Sequence, residues 1–490
     1  MYSLGIDIGS SSVKVSLLDI RSGKCIASST NPGSEAPIKA LHKGWAEQDP
    51  ESWWDYACKG IKAVTADNGS SKIVAVGITY QMHGLVAVDK DIRPVRDAII
   101  WCDSRAVETG AEALQSIGYG KCMEHLLNSP GNFTASKLAW VKRNEPDLYS
   151  KIYKFMLPGD YVAYKLSGEV ATTRTGLSEG IFWDFKENKR ADFVAEYYGI
   201  ENDKFPDIVP AIGIQCRTSA ETESLLGIPK GTPVSYRAGD QPNNAFSLGV
   251  LNPGEIAATG GTSGVVYGVT DVPKADSASR VNTFLHVNDT NNAHRFGVLL
   301  CINGTGILNS WVHHKITPNL DYARMNDVAA KAPAGSDGLR VMPFGNGAER
   351  VLENRNVGAR FSGLDLVRHS TEHILRATQE GIAFSFRYGI DIMRNLGLDP
   401  KLIRAGKANL FLSPLFRSTL ATLCDANIEL LNTDGSLGAA RGAALGAGFY
   451  SNEQEAFANL TTLETIVPAK TWKEPLEQAY SAWKKELEQI

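Results

Sequence analysis

The chain has 490 residues, and its 50 Lys and Arg against 54 Asp and Glu leave a formal charge of −4. Apolar residues make up 43% and charged residues 21%, close to the soluble globular average. That excludes disordered, collagen-like and coiled-coil classes and leaves material for about three domains or two large ones. The balanced charge gives no global pull toward polyanions or anionic lipid, so neither nucleic acid nor a membrane is an expected partner.

Along the chain, Leu4, Ile6 and Ile8 alternate with Gly5, Asp7 and Gly9, a Ser10-Ser11-Ser12 turn follows, and Val13, Val15 and Leu17 alternate with Lys14 and Ser16. This is the pattern of a β-hairpin. It places a carboxylate, a polar glycine-containing turn and a lysine within eight residues. Turn amides of Gly9 and Ser10 to Ser12 can cradle phosphate oxygens, Lys14 adds charge, and Asp7 can hold Mg²⁺ through water. An ordinary hairpin with solvated polar residues explains the same segment. The apolar run 73–78 predicts a buried strand, and His83, in Thr-Tyr-Gln81-Met82-His83-Gly-Leu, follows it. Trp101-Cys102-Asp103-Ser104-Arg105 follows a second apolar run at 98–100. Strand ends are where open α/β sheets bind ligands, and an imidazole, an indole face and a carboxylate suit a polyol. The plain alternative for a lone histidine is a satisfied, partly buried side chain. Asp240 ends a short apolar strand just before Pro242, a residue favoured at the first helical position. Its carboxylate then faces a helix N-terminus, whose dipole favours the ionised form of a base that accepts a hydroxyl proton late in phosphoryl transfer. The commoner role at that place is a helix cap.

In the second half, 254–268 repeats the strand, Gly/Ser/Thr turn and strand, with Gly261 and Thr262 in the turn. Two such hairpins, each opening one half, predict two related domains and a triphosphate shared between their turns. A long amphipathic helix is expected over 370–396, ended by Gly397 and Asp399-Pro400. Gly438, Gly442 and Gly446 recur every four residues, which lines one helix face with small groups for close packing. Strand-length apolar runs mixed with helical spacing give an α/β class with mixed sheets. Seven cysteines, odd in number and without a C-x-x-C pair, predict neither a disulfide framework nor a zinc site. His313 and His314 are adjacent, point to different sides and are not expected to ligate a metal. With no signal-peptide pattern and no long uncharged apolar run, the expected location is cytoplasmic.

The Asp7/Gly9/Lys14 hairpin, WAEQDPESWW (45–54), QMHG (81–84), WCDSR (101–105), LPGDYVAYKLSG (157–168), AGDQ (238–241), GGTSG (260–264), the helix around Glu380-Gly381 and GAARGAALGAG occur in one order. In that order the chain resembles the FGGY carbohydrate kinases over nearly its whole length. QMHG and EQDPESWW look most like the xylulokinases within that family. The resemblance implies two actin-like, ribonuclease-H-like domains, 1–250 on the sugar side and 251–490 on the nucleotide side, with MgATP and sugar in the cleft between them. It implies Asp240 as catalytic base, with Asp7 important for activity and both carboxylates near the metal. Gln81, Met82, His83, Trp101, Asp103, Asp240 and Gln241 would lie by the sugar. Gly9, Ser10, Ser11, Ser12, Lys14, Gly261, Thr262, Gly406, Lys407 and Asn409 would lie by the nucleotide. Two segments depart from the family pattern. Arg237-Ala238-Gly239-Asp240-Gln241 stands where xylulokinases usually show Gly-Gly-Gly-Asp-Asn, and its Gly-Asp-Gln is similar to glycerol kinases. Residues 405–413 replace the usual Gly-Gly-Gly-x-x-Ser.

The expected activity is ATP-dependent phosphorylation of a ketopentose, D-xylulose foremost, with ATP and Mg²⁺ as cofactors. The alternatives are another FGGY substrate such as L-xylulose, ribulose, gluconate or glycerol, and a non-catalytic ATP- or sugar-binding protein of the actin-like superfamily. A base at Asp240 is of no use to the latter, and a dinucleotide-dependent dehydrogenase fails for want of G-x-G-x-x-G after the first strand. Sugar and nucleotide are the expected partners, with a homodimer left open.

Overall fold

The computed structural model describes residues 1–490 and divides them into two compact units. The first comprises Met1–Gly249, Phe284–Arg295 and Thr433–Leu460; the second comprises Val250–Thr283, Phe296–Asn432 and Thr461–Ile490. The first change of unit falls beside the Asn252-Pro253-Gly254 turn, but two later segments return to the first unit, so the units are not a single cut of the chain.

In the first unit, six strands run in the order Ile212–Arg217, Pro233–Gly239, Ile73–Tyr80, Tyr2–Ile8, Val13–Asp19, Cys25–Asn31. Tyr2–Ile8 pairs antiparallel with Val13–Asp19 and parallel with Ile73–Tyr80, which pairs parallel with Pro233–Gly239. The sheet is mixed because the opening hairpin is local, while the parallel neighbours arrive by helical crossovers. The alternation in the first strand decides what covers each face. Leu4, Ile6 and Ile8 are fully buried in a core with Trp53, Ala57 and Ile61 of the helix Pro50–Thr65. That helix starts where the sequence signals a start, with the Asp49 carboxylate accepting from Glu51 N at 3.0 Å and Pro50 in its first turn.

The opposite face takes the glycine-rich helix Gly435–Gly446. A Cβ at Gly5 would lie 1.8 Å from the Ser436 carbonyl oxygen, and one at Gly77 would lie 2.0 Å from that of Ala439. On the helix side, a Cβ at Gly446 would lie 2.0 Å from the Ser235 carbonyl oxygen. Backbone thus approaches backbone, and the seam is closed by Ser3 Oγ to Ala440 O at 2.6 Å and Ser235 Oγ to Ala443 O at 2.7 Å. The small-residue face was predicted to admit a close neighbour. That neighbour is the first unit's sheet, although the helix lies late in the chain.

In the second unit, Phe296–Ile302, Gly264–Thr270, Glu255–Gly260, Leu402–Gly406, Asn427–Leu431 and Thr462–Ile466 follow one another in the sheet. Glu255–Gly260 and Gly264–Thr270 form the second hairpin, and Leu402–Gly406 pairs parallel with the former. The long helix forms over Thr371–Asn395, capped by Ser370. It buries Phe384 and Phe386 in a core with Phe344, Phe416 and Trp483.

The close helix–sheet seam predicts the cost of a methyl group. Gly77→Ala should destabilise the protein by about 3 kcal/mol or more, since backbone and not a side chain must yield. Gly33→Ala, where a Cβ meets nothing within 4 Å, should change stability by less than about 0.5 kcal/mol. Equilibrium urea unfolding of the two variants checks the contrast.

Candidate active site

The C-terminal end of the first strand carries Asp7, opposite Lys14 in the hairpin and beside Thr79 of the neighbouring parallel strand. The Gly9 amide donates to Ser12 O at 2.9 Å and closes the predicted polar turn. Gln48, buried in the WAEQDPESWW segment, donates to Ser10 O at 2.7 Å, while its Oε1 accepts from Trp53 Nε1 and from Gln81 Nε2, both at 3.1 Å. One amide therefore ties the 9–12 turn to the strand end that leads to His83. Gln48 was not among the expected site residues, and its sequence signal is a polar residue just ahead of the Asp49 cap.

Asp240 ends the Pro233–Gly239 strand and is the first residue of the helix Asp240–Ser247. Pro242 stands third in that helix, not first, and the cap position falls to Gly239, which makes no side-chain cap bond. Burial pushes the Asp240 carboxyl up to about 6, against the pull of the Gln241 amide and side chain. Asp7 goes further, to about 7: burial comes first, then the charges of Asp240 and Asp434, with Lys14 opposing. Asp434 is a carboxylate absent from the residues expected from the sequence. It caps the helix Gly435–Gly446, with Oδ1 accepting from Leu437 N at 3.0 Å and Ser436 Oγ at 2.7 Å, while Oδ2 accepts from Lys14 Nζ at 2.8 Å. Burial opposes its ionisation, but Lys14, Ser436 and the Leu437 amide hold its carboxyl below the usual range. The helix cap was legible in Thr433-Asp434-Gly435-Ser436; its meeting with Asp7 depends on a fold contact. A Cβ at Gly435 would lie 2.2 Å from Asp7 Oδ2, so only glycine there lets the Asp7 carboxylate reach the helix N-terminus.

Met82 is buried, and His83 takes φ +61°. The ring Nδ1 donates to Glu179 O at 3.0 Å, and the ring packs edge-on against Phe133 and tilted against Phe284. Lys137 lies fully buried beneath, donating to His83 O at 2.8 Å and Ile100 O at 3.0 Å, so that it braces the QMHG and WCDSR segments against each other. Burial lowers its ammonium to about 7, with Asp103 the first charge opposing. Trp101 is 53% exposed, its indole Nε1 3.4 Å from Ser10 Oγ. Asp103 does not offer its carboxylate to a ligand as expected. It is fully buried, with Oδ2 accepting from Ala46 N at 2.6 Å and Arg105 Nη2 at 2.7 Å, and Oδ1 accepting from Arg105 N at 2.8 Å. The arginine two residues on takes the charge, and Asp103 holds the loop. The side chain of Gln241 acts on Asp240 itself. Here, then, the structure gathers Asp7, Asp240, Lys14, the 9–12 turn, Gln81, Met82 and His83 in one unit.

The second unit carries its own pocket of about 400 Å³. It is lined by the Gly260-Gly261-Thr262 turn, the start of the helix Gly306–Lys315, Tyr322, Asn326 and the 409–413 segment. Ile307 N donates to Thr262 O at 3.0 Å, and a Cβ at Gly306 would lie 2.0 Å from Gly261 O, so turn and helix start are locked together. Ser413 Oγ donates to Gln379 Oε1 at 2.7 Å, and Gln379 Nε2 donates to Asn326 Oδ1 at 2.8 Å. Asn409, at φ +53°, lines this pocket. Gly406 and Lys407 do not: the Lys407 ammonium turns to Glu464 at 3.8 Å.

The N-terminal domain model of the FGGY family of carbohydrate kinases matches residues 2–247, and the C-terminal domain model matches 256–450. The chain is 27% identical to the xylulose kinase of Escherichia coli over 485 residues, covering 99% of this chain and 96% of that protein. The crystal structure of xylulose kinase from Rhodospirillum rubrum superposes with TM-score 0.89 at 24% identity, covering 99% and 98%. That of gluconate kinase from Lactobacillus acidophilus superposes with TM-score 0.90 at 22%, covering 99% and 97%. These structures share the fold, two actin-like domains, as the motif order implied.

Because Asp434 both caps a helix and pairs with Lys14, its two roles separate by substitution. Asp434→Asn keeps a capping oxygen and should leave stability within about 0.5 kcal/mol, whereas Asp434→Ala should cost about 1 kcal/mol. Thermal or urea unfolding of the pair checks this.

Proposed function

The chain belongs to the FGGY family of carbohydrate kinases, and from that membership we propose that it transfers the γ-phosphoryl group of ATP to the 5-hydroxyl of D-xylulose, with Asp240 as general base. The observation that carries this reading is the state of Asp240: a buried carboxylate at a strand end and helix start, with a pKa raised to about 6. Such a group is ionised at neutral pH and still basic enough to take a hydroxyl proton in the transition state. It stands at the end of the strand next to the one that leads into Met82 and His83. Those residues offer an apolar contact and a fixed imidazole to a polyol, with Nδ1 committed to Glu179 O. Lys14 and the amides of the 9–12 turn would meet phosphate oxygens, which spread their charge over several donors. The nucleoside is assigned to the second unit's pocket, with Asn309, Asn326 and Ser413 as its polar groups.

Mg²⁺ takes one or two carboxylates together with phosphate oxygens and water. No three His, Cys, Asp or Glu side chains are grouped to ligate an ion by themselves. The donor set fits an ion completed by phosphate and water, because Asp7 carries the repulsion of Asp240 and Asp434, which Lys14 offsets only in part. Asp7 and Asp240 would hold it, and when bound it would neutralise charge on the transferring phosphoryl group.

The similarity to xylulose kinases supports D-xylulose, whereas the Gly239-Asp240-Gln241 sequence and the likeness in fold to a gluconate kinase favour testing other polyols beside it. With saturating MgATP, D-xylulose should give a kcat/KM at least about tenfold above glycerol and gluconate, roughly 1.4 kcal/mol of transition-state binding. Equal turnover of either would reassign the substrate.

Asp240→Asn should lower kcat by about 10²–10⁴ while sugar binding by calorimetry holds, because the amide keeps the shape and cannot accept the proton. In the intact enzyme, kcat/KM for the sugar should fall as the pH drops through the Asp240 pKa, about 6 in the free chain. The sign follows from the base: its protonated form is the inactive one.

A further inference from the structure

Glu179 is a second acid beside the Asp240 segment, and the reaction described above does not use it. It ends the helix Arg174–Glu179, is 2% exposed, and neither of its carboxyl oxygens has a partner in hydrogen-bond geometry. Its Oε2 fills the space over Gly239, where a Cβ would lie 2.6 Å from it and 2.5 Å from Met82 Cγ. Gly239 precedes Asp240 and Met82 precedes His83 in the chain. The Glu179 carbonyl, for its part, accepts the Nδ1 proton of His83 at 3.0 Å. One residue therefore touches both segments that carry the base and the imidazole: its side chain meets Gly239, and its main chain meets His83.

A buried carboxylate without a well-formed hydrogen bond or a paired cation is costly, and such a group gives up its charge instead. Burial pushes the Glu179 carboxyl well above the usual range; the Tyr80 hydroxyl opposes, Asp240 and Asp160 add to the shift, and Lys137 opposes. Arg237 forms an ion pair with Asp160, its Nε 3.3 Å from Oδ1. A purely space-filling role would be served better by an aliphatic side chain, which carries no desolvation cost.

We propose that Glu179 is a positioning residue, its side chain wedged against Gly239 and its carbonyl holding His83 Nδ1, that sets the aim of the Asp240 carboxylate and the His83 ring. This rests on the reading of Asp240 as base. A shift of an ångström in a reacting group can cost about 10²-fold in rate, so the effect belongs in kcat.

Glu179→Gln, neutral and of the same shape, and Glu179→Leu, neutral without a polar head, separate the roles when assayed in the full chain beside Asp240→Asn. The assay uses MgATP and whichever sugar of the panel turns over fastest, with melting temperatures recorded for each variant. Glu179→Gln should keep kcat within about threefold, and Glu179→Leu should lower it about 30- to 100-fold with KM for ATP unchanged. Wild-type kcat in Glu179→Leu would overturn the proposal, since filling the space would then suffice. So would a Glu179→Gln as slow as Glu179→Leu, since charge would then be needed. If Glu179→Leu does not fold, Glu179→Ala is read by the same two criteria. Full turnover in Asp240→Asn would instead sink the reading of Asp240, whereas an inactive Asp240→Asn beside a fully active Glu179→Leu would sink this proposal alone.

Discussion

The approach of the helix Gly435–Gly446 to the first unit's sheet is the constraint from which the candidate site follows. With Gly5 and Gly77 on the sheet and Gly446 on the helix all lacking a Cβ, backbone meets backbone at distances no side chain would allow. That contact sets the helix N-terminus against the end of the first strand. Asp7 then lies within reach of Gly435, and Asp434 within reach of Lys14. A single methyl group in this seam would move a helix end, and with it the charges of Asp434 and Lys14.

The charges form a graded set. Asp434 is bound by Lys14, Ser436 and a helix amide and is held below the ordinary range, whereas Asp7 and Asp240 are buried with less support and rise to about 7 and 6. Like charges crowded in a buried place cannot all ionise at ordinary cost, so their environments spread their proton affinities apart. This leaves one firm anion that orients Lys14 and two carboxyl groups poised near neutrality. Under the proposed reading, such a site would favour a cation and retain a base neither too weak to accept a proton nor permanently protonated at physiological pH. Around it, Gln48 and Lys137 act as braces that join separate strand ends through the Ser10, Gln81, His83 and Ile100 backbone or side chains.

Much of this was legible in the sequence because it is local. Alternation in 2–8 and 13–18 wrote the first hairpin and its two faces, and the same pattern at 254–268 wrote the second. Ser370 and Gly397 marked the ends of the long helix. Asp240 could be placed at a strand end from its flanking apolar run, and Asp7 and Lys14 face each other simply because a hairpin pairs them. Asp434 was not legible as a site residue, since its partner Lys14 lies 420 residues away and helical periodicity does not say which sheet a helix will cover. Asp103 misled for the opposite reason: a carboxylate at a strand end suits a ligand, but an arginine two residues on, folded back by the loop, satisfies it first. In the 405–413 segment only the later residues reach the second unit's pocket, because Lys407 is drawn to Glu464.

The central claim is that packing of this helix brings Asp434 against Asp7, so that charge repulsion adds to burial there, while burial at the strand end keeps Asp240 poised as the proposed base. Carboxyl ¹³C NMR titration of the full chain, free of nucleotide and metal, tests it directly. The account predicts two aspartates titrating above pH 5, near the values of about 6 and about 7 for Asp240 and Asp7, with the Asp7 value falling in Asp434→Asn. Ordinary titration of both near pH 4, unmoved by that substitution, would contradict it.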